Sequence, residues 1–442
     1  MPFNVLSLIR KKRGGEELSR EELDFLLSGF TKGEVPDYQM SAFLMAVYFQ
    51  GMTAIETAHF VELMKNSGTV LHFERIKNPK VDKHSTGGIG DKTTLILGPL
   101  LACFDVAYPS IAGRGLAHTG GTIDKLEAIP GFQCEIPIKR FGELLSSAGF
   151  AVMGQTSEIC PTDKKLYALR DVTGTVESIP LIVASIMSKK LAEGIDGIVL
   201  DVKTGSGAFM KSESDAKALG KALLATAKQA GKLARVLVTD MSEPLGRAAG
   251  HSIEVNECVA FLRQGPQDAK PDVRLYELTL ALAEELLVMA EKQRGKKLKP
   301  KDARKALEEA LQSGKAYAKF LEVISLQGGD TEAVDTGLPL APKQIHLLAK
   351  QSGYVQPMNA EAIGMALVEL GGGRKKTTDT IDFSVGFEFH CHVGDKVKKD
   401  QPLVTLFARD QKMAEQAKAA LEQAIQIHTK APRKAKLIRC RL

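Results

Sequence analysis

The sequence predicts a multi-domain α/β protein: a small all-helical lobe, a large α/β lobe around a mixed, mostly parallel sheet, and a C-terminal α+β domain with sandwich-like strands. Three observations predict it. The first 70 residues carry only helix-period apolar stripes. From about residue 76, short β-rich runs alternate with Gly-rich turns and helical windows. The composition then breaks near Gly328 to Leu340, and a second set of strand-like runs follows.

In the first segment, Leu23, Leu26, Leu27 and Phe30 fall at i, i+3, i+4 and i+7. Ser19 with Glu22 three places on forms a capping-box pattern ahead of that stripe. Ser41 to Gln50 and Ala54 to Ser67 are further helical windows. In the second segment the strand candidates are Val106 to Ile111, Phe150 to Met153, Ile195 to Val202 and Arg235 to Val238. Between them Asp163 to Arg170 and Pro180 to Ala192 read as helices, expected to pack with the N-terminal ones. The expected division is therefore 1–70 plus 161–193, 71–160 plus 194–332, and 333–442. In the last of these, strands are expected around Phe383 to Cys391 and Gln401 to Leu406. Val393 to Val404 reads like the turn-and-strand unit of biotinyl/lipoyl-type sandwiches. It has no Lys at the modification turn, so it is read as architecture.

The 442 residues allow two or three domains at roughly 150 residues each. With 44% apolar and 25% charged residues, the chain is globular rather than disordered or fibrous. The six cysteines form no Cys-x-x-Cys pair, which argues against a disulfide scaffold or zinc ribbon and favours a reducing cytoplasm. The net charge is +6, and five Lys/Arg lie in the last twelve residues, Ala431 to Leu442. That segment reads as a solvated basic tail, and the remaining charge is too small to predict nucleic-acid binding. The longest apolar run, Leu95 to Phe104, is half the ~20 residues a bilayer needs. Near the N-terminus the apolar stretch precedes the basic cluster Arg10 to Arg13, the reverse of signal-peptide order. His390 and His392 flank Cys391 on a predicted strand, so the Cys points away from the two His and no tight metal site is expected.

Four segments carry the features of a binding site. Asp82 to Thr94 reads DKHSTGGIGDKTT: glycines let the backbone approach an anion, while Lys, hydroxyls and helix-start N–H groups donate to it. Asp91 stands where a Walker A loop needs Gly, so that motif is excluded. Ala112 to Thr122 reads AGRGLAHTGGT after a candidate strand, where α/β sheets place their ligand crevice. Ser185 and Lys189 are four apart and share a helix face, within reach of Arg170. Arg, Ser and Lys pointing one way suit a small planar ligand with carbonyl acceptors. Lys203 to Phe209 is a further loop at a strand end.

Taken in order, these segments resemble the pyrimidine-nucleoside phosphorylase and thymidine phosphorylase family over almost the whole chain. The most specific matches are Lys83 to Gly88, Gly113 to Glu127, and Ser178 to Pro180 with Ser185 and Lys189-Lys190. The resemblance implies reversible phosphorolysis of uridine, thymidine or deoxyuridine to free base and an α-pentose 1-phosphate. It implies a homodimer whose helical lobe closes on the α/β lobe, with no organic cofactor and no nucleic-acid or membrane partner. Lys83, Ser85, Thr94 and Thr122 match phosphate ligands. His84, Arg170, Ser185 and Lys189 match the base-holding residues, with His84, Arg170 and Lys189 as the catalytic set. Leu116, Tyr167, Ile182 and Phe209 match the apolar walls. A monovalent cation, K+, would fall to Gly90, Lys92, Leu245, Ala248 and Glu257.

The chain departs from the family at Ala112, where a Ser usually helps hold phosphate, and at Ala117, where a Gly is usual. One lost hydrogen bond predicts phosphate binding weaker by about 1 kcal/mol. Ser110 falls close to the expected sugar and bears on uridine versus thymidine. The competing expectations are a thymidine-restricted enzyme, an anthranilate-type phosphoribosyltransferase, and a non-catalytic nucleoside-binding protein.

Overall fold

The computed structural model describes residues 3–115, 119–264, 270–376 and 379–442. It opens with α1 (Val5–Arg13), α2 (Arg20–Lys32), α3 (Asp37–Gln50) and α4 (Ala54–Lys65). The Ser19–Glu22 capping box starts α2, and Leu23, Leu26, Leu27 and Phe30 are its buried face.

The α/β part follows as β1 (Val81–Ser85), α5 (Thr93–Ala102), β2 (Tyr108–Ala112), α6 (Thr122–Glu127), α7 (Ile138–Ala148) and β3 (Phe150–Gly154). Next come α8 (Pro161–Thr173), α9 (Ile179–Ala192), β4 (Gly197–Thr204), α10 (Glu213–Gln229), β5 (Leu233–Asp240) and the short β6 (Ala248–Gly250). Strands β1, β4 and β5 pair in parallel, as do β2 and β3, and a parallel bridge from Lys80 to Ala107 joins the two groups. β4 is buried at every position, as a central strand covered on both faces must be. Helix α5 is buried on all sides, which its uninterrupted TTLILGPLLA sequence requires. One apolar cluster joins α2, α3, α4 and α9 to Ile198, Leu200 and Val202 on β4, so the bundle packs on one face of the sheet.

Helices α11 (Ser252–Arg263), α12 (Val273–Gln293), α13 (Pro300–Gln312), α14 (Lys315–Leu326) and α15 (Thr331–Thr336) contribute to the larger core. The C-terminal part contains β7 (Lys343–Leu348), β8 (Gly353–Val355), α16 (Ala360–Leu367), β9 (Gly386–Phe389), β10 (Lys396–Val397), β11 (Pro402–Ala408), α17 (Gln411–Ala424) and β12 (Ile427–His428). Its two antiparallel sheets run β6-β9-β11-β7 and β10-β8-β12. β6 is thus donated from the α/β segment.

One sequence expectation fails here. The last residues are not a solvated tail: β13 (Ile438–Arg441) pairs antiparallel with β5 and forms the edge of the large sheet. Arg439 donates to Asp240 at 2.7 Å, and Arg441 pairs with Glu285. Arg439 and Arg441 answer acids of β5 and α12, so the chain returns to the α/β lobe within the region assigned to the C-terminal domain. Among the described residues no helix is long and apolar enough to cross a membrane.

Candidate functional site

The site begins at the carboxyl end of β1. Asp82 to Ser85 belong to the strand itself rather than to a loop after it, and this sorts their side chains. Successive strand residues point to opposite faces. Asp82 and His84 face α9, where the Asp82 carboxylate accepts from Lys190 Nζ at 2.6 Å. Lys83 and Ser85 face the turn into α5: Lys83 Nζ lies 3.9 Å from Asp91 Oδ1. The four-residue run Lys-His-Ser-Thr therefore serves both sides of one cleft.

The turn is held by short contacts. Thr86 Oγ1 accepts from Lys203 N–H at 2.9 Å, and Thr93 Oγ1 donates to Asp91 Oδ1 at 2.9 Å. Burial pushes the Asp91 carboxyl upward, but Lys83, Lys203 and the Ser85 and Thr93 hydroxyls outweigh it and hold the group well below the usual carboxylate range. Gly90 sits at φ +76, and a Cβ there would lie 2.5 Å from Leu245 O, so only glycine fits.

The second loop is fixed by Asp124 on α6. Its carboxylate accepts from Gly115 N–H at 2.6 Å and from Arg374 at 2.9 Å. Arg114 forks onto Glu127, also reaches Asp124, and still lines the cleft. A Cβ on Gly121 would stand 2.1 Å from Gly115 N, so this close approach needs glycine at 121. Leu116, Ala117 and His118 lie outside the described residues.

The opposite wall comes from α8 and α9. Lys189 Nζ donates to Ser185 Oγ at 2.9 Å, as the i, i+4 spacing predicts, and also pairs with the Asp163 carboxylate. Arg170 is buried, and its guanidinium donates to the carbonyls of Thr175, Val176 and Leu181 at 2.7–3.2 Å. It thereby ties down the loop between α8 and α9 while lining the cleft. Its centre is 6.0 Å from the Tyr167 ring. Lys190 Nζ bonds Asp82, Glu193 and the Ile111 carbonyl, so α9 is pinned to the ends of both β1 and β2.

One cleft of about 520 Å³ collects Lys83, His84, Ser85, Thr94 and Thr122 on the sheet side and Tyr167, Arg170, Ile182, Ser185 and Lys189 on the helical side, with Phe209. Ser110 and Ala112 line it too, the latter contributing no hydroxyl. Sequence reasoning missed Asp163, Met210 and Leu219, which also line the cleft. Asp163, Tyr167 and Arg170 fall at i, i+4 and i+7 on α8, a spacing that marks one helix face. Burial pulls the His84 imidazole well below its ordinary value, and Lys190, Lys189 and Lys83 pull it further, so the ring is uncharged near neutrality.

The expected cation residues do not fit a metal ion. Gly90, Leu245, Ala248 and Glu257 do gather, but the oxygens of Leu245, Ala248 and Glu257 are already taken by Lys92 Nζ.

Comparison with known proteins places these features. Residues 6–68 match the helical bundle domain and residues 77–317 the a/b domain of the glycosyl transferase family, and residues 354–428 match the pyrimidine nucleoside phosphorylase C-terminal domain. A pyrimidine-nucleoside phosphorylase of Geobacillus stearothermophilus is 47% identical over 96% of both chains. One of Bacillus subtilis (strain 168) is 48% identical over 93% of this chain and 94% of its own. The anthranilate phosphoribosyltransferase of Thermus thermophilus shares the fold, with a TM-score of 0.56 at 19% identity, covering 72% of this chain and 98% of its own. The three matched segments stand in the family's order along one chain, and close identity to relatives runs nearly end to end: the chain belongs to the pyrimidine-nucleoside phosphorylase family.

Proposed function

We propose that the chain catalyses reversible phosphorolysis of pyrimidine nucleosides. The observation that carries the reading is the two-sided cleft: Lys83, Ser85, Thr94 and Thr122 on the sheet side oppose the Ser185–Lys189 pair on α9. The first group would hold inorganic phosphate. His84, Arg170, Ser185 and Lys189 would hold the base, against walls of Tyr167, Ile182 and Phe209.

A phosphate oxygen attacks C1′ as the bond from C1′ to the base nitrogen breaks, and the electron pair leaves with the base. Phosphate is already a nucleophile, so no side chain need be one. The protein holds it in line and stabilises charge growing on the base. Lys189 supplies the positive charge that offsets it at a ring carbonyl. His84, being uncharged, suits the role of hydrogen-bond donor rather than imidazolium acid, so the departing base takes its proton from solvent. Two or three charge-assisted hydrogen bonds that strengthen in the transition state contribute about 1.5–3 kcal/mol each, a large part of the ~8 kcal/mol that modest enzymes supply.

The test is incubation with uridine, thymidine, deoxyuridine and cytidine, with and without phosphate, and a parallel arm with phosphoribosyl diphosphate and a free base. Base and pentose 1-phosphate should appear only with phosphate. Release independent of phosphate, or turnover only of the diphosphate, would overturn the reading.

The helical lobe is taken as 1–70 plus 161–193 and the α/β lobe as 71–160 plus 194–332, with 438–441 added to it from the C-terminal segment. A homodimer built on the helical lobe is part of this proposal, and exposed apolar side chains support it. Tyr38 (74%), Phe49 (76%) and Val172 (79%), with Phe3, Leu6, Tyr48 and Ile55, all lie on or beside the bundle helices and α8. Light scattering should give twice the chain mass, and a monomer would refute it. A reducing cytoplasm is proposed from the cysteine spacing, which offers no Cys-x-x-Cys pair.

A further inference from the structure

Lys92 is wholly buried at the turn between Gly90 and α5. Its ammonium has three N–H donors and meets three acceptors: Leu245 O at 3.0 Å, Ala248 O at 2.9 Å and Glu257 Oε2 at 2.6 Å. Those acceptors are themselves preset. Glu257 also accepts from the backbone N–H groups of Arg247 and Ala248 at 2.7 and 3.0 Å, and Leu245 N–H donates to Ile89 O at 3.1 Å. Glu254 Oε2 stands 3.9 Å away and adds negative charge. Two backbone carbonyls and a carboxylate converging on one point form a cradle for a monovalent cation. Here the cation is covalently attached to the loop that carries Thr93 and Thr94.

We infer that the Lys92 ammonium is the resident cation of this cradle, locking the Gly87–Thr94 turn onto the 245–257 segment, so that the protein needs no alkali-metal ion to order its anion loop. The geometry gives each donor of Lys92 an acceptor among the three oxygens of the cradle. A buried charge so matched is stable, whereas removing one partner leaves the other uncompensated. Lys92 touches no cleft ligand and is a positioning residue, acting through Thr94. A diffusible ion would make stability depend on its concentration, because binding to the folded state alone stabilises in proportion to the logarithm of ligand excess. A tethered ion removes that dependence.

The experiment compares melting temperature and phosphate affinity in chloride salts of K+, Na+ and tetramethylammonium at equal ionic strength. Wild type should melt alike in all three, with phosphate affinity differing by less than about twofold. Lys92→Ala opens the cradle. In tetramethylammonium it should melt lower and bind phosphate at least about tenfold more weakly, as loss of one charge-assisted contact implies. K+ or ammonium should restore both in a saturable way, and tetramethylammonium, being too large, should not. Should Lys92→Ala fail to fold, Glu257→Gln keeps the side-chain size; it should melt lower in every salt without ion-specific rescue. Saturable K+ stabilisation of wild type, or a Lys92→Ala protein that melts and binds phosphate like wild type in tetramethylammonium, would overturn the inference. The inference rests on the proposed phosphate role of the loop only in its affinity arm. The melting arm stands apart, so failure of the phosphorolysis reading would leave it intact.

Discussion

Replacing Lys189 with methionine keeps the aliphatic stem and removes the ammonium. Two consequences follow from its surroundings, and they can be separated. The Lys189 side chain is 20% exposed, which leaves room for a ligand, while its partner Asp163 is 2% exposed. Asp163 Oδ1 already has no hydrogen-bond partner among the described residues, so loss of Lys189 strands a buried carboxylate. Breaking a buried pair from one side costs about 3–5 kcal/mol. Loss of a donor aimed at developing negative charge costs a further ~10²–10³ in turnover. Lys189→Met should therefore unfold earlier and turn over slowly. In the double variant Lys189→Met/Asp163→Asn the stranded charge is gone, so most of the stability should return while turnover stays low. The assay is kcat and KM for uridine and for phosphate, alongside urea melts of both variants. A double variant that turns over within about tenfold of wild type would refute the role given to Lys189.

The other predictions address separate parts of the molecule. His392 donates to Glu243 and Asp272; burial opposes its protonation, but those two carboxylates outweigh burial and raise its pKa to about 9. The unfolded chain releases this proton near 6.5, so the stabilisation is complete below that pH and is lost as pH rises through about 9, roughly 3 kcal/mol in all. Urea midpoints should fall over that window in wild type and hold level in His392→Gln. Ala112→Ser puts a hydroxyl into the cleft at the end of β2 and should lower the phosphate KM by about fivefold, one hydrogen bond's worth; an unchanged KM would mean that a neighbouring group already fills that place. Deleting residues 437–442 removes β13 and one of the two arginines on the buried Asp240, the other being Arg274 at 3.1 Å. The truncated protein should melt lower and aggregate through the uncovered edge of β5, and wild-type melting would show the segment to be dispensable.

What could be read from the residues, and what could not, divides by the range of the interaction. The Ser19–Glu22 cap, the α2 stripe and the Ser185–Lys189 pair are decided within one or two helical turns, and each forms as its spacing predicts. The parallel strands were legible because β4 is apolar along most of its length, a pattern that suits a strand covered on both faces. The gathering of Lys83, Ser85, Thr94 and Thr122 was legible because strand ends in such sheets converge. Contacts spanning more than a hundred residues left weaker traces. Arg439 meets Asp240 across 199 positions, and a basic C-terminus looks the same in sequence whether it finds that partner or water. Arg170 could be placed in the cleft, but its three carbonyl partners are backbone atoms, which no residue type announces.

Lys92 shows the limit most sharply. Its place among the residues expected around a cation is legible in the sequence, but nothing local shows that its side chain takes the cation's place. Leu245 and Ala248 act through carbonyls that any residue supplies, and Glu257 lies 165 positions away. The one local hint is physical: a lysine at the mouth of a helix as apolar as α5 cannot reach solvent along that helix, so its charge must find buried acceptors or the loop cannot form. Three oxygens already committed to one another by the 245–257 turn provide them. A cradle so filled has no place for a free ion beside the tethered ammonium.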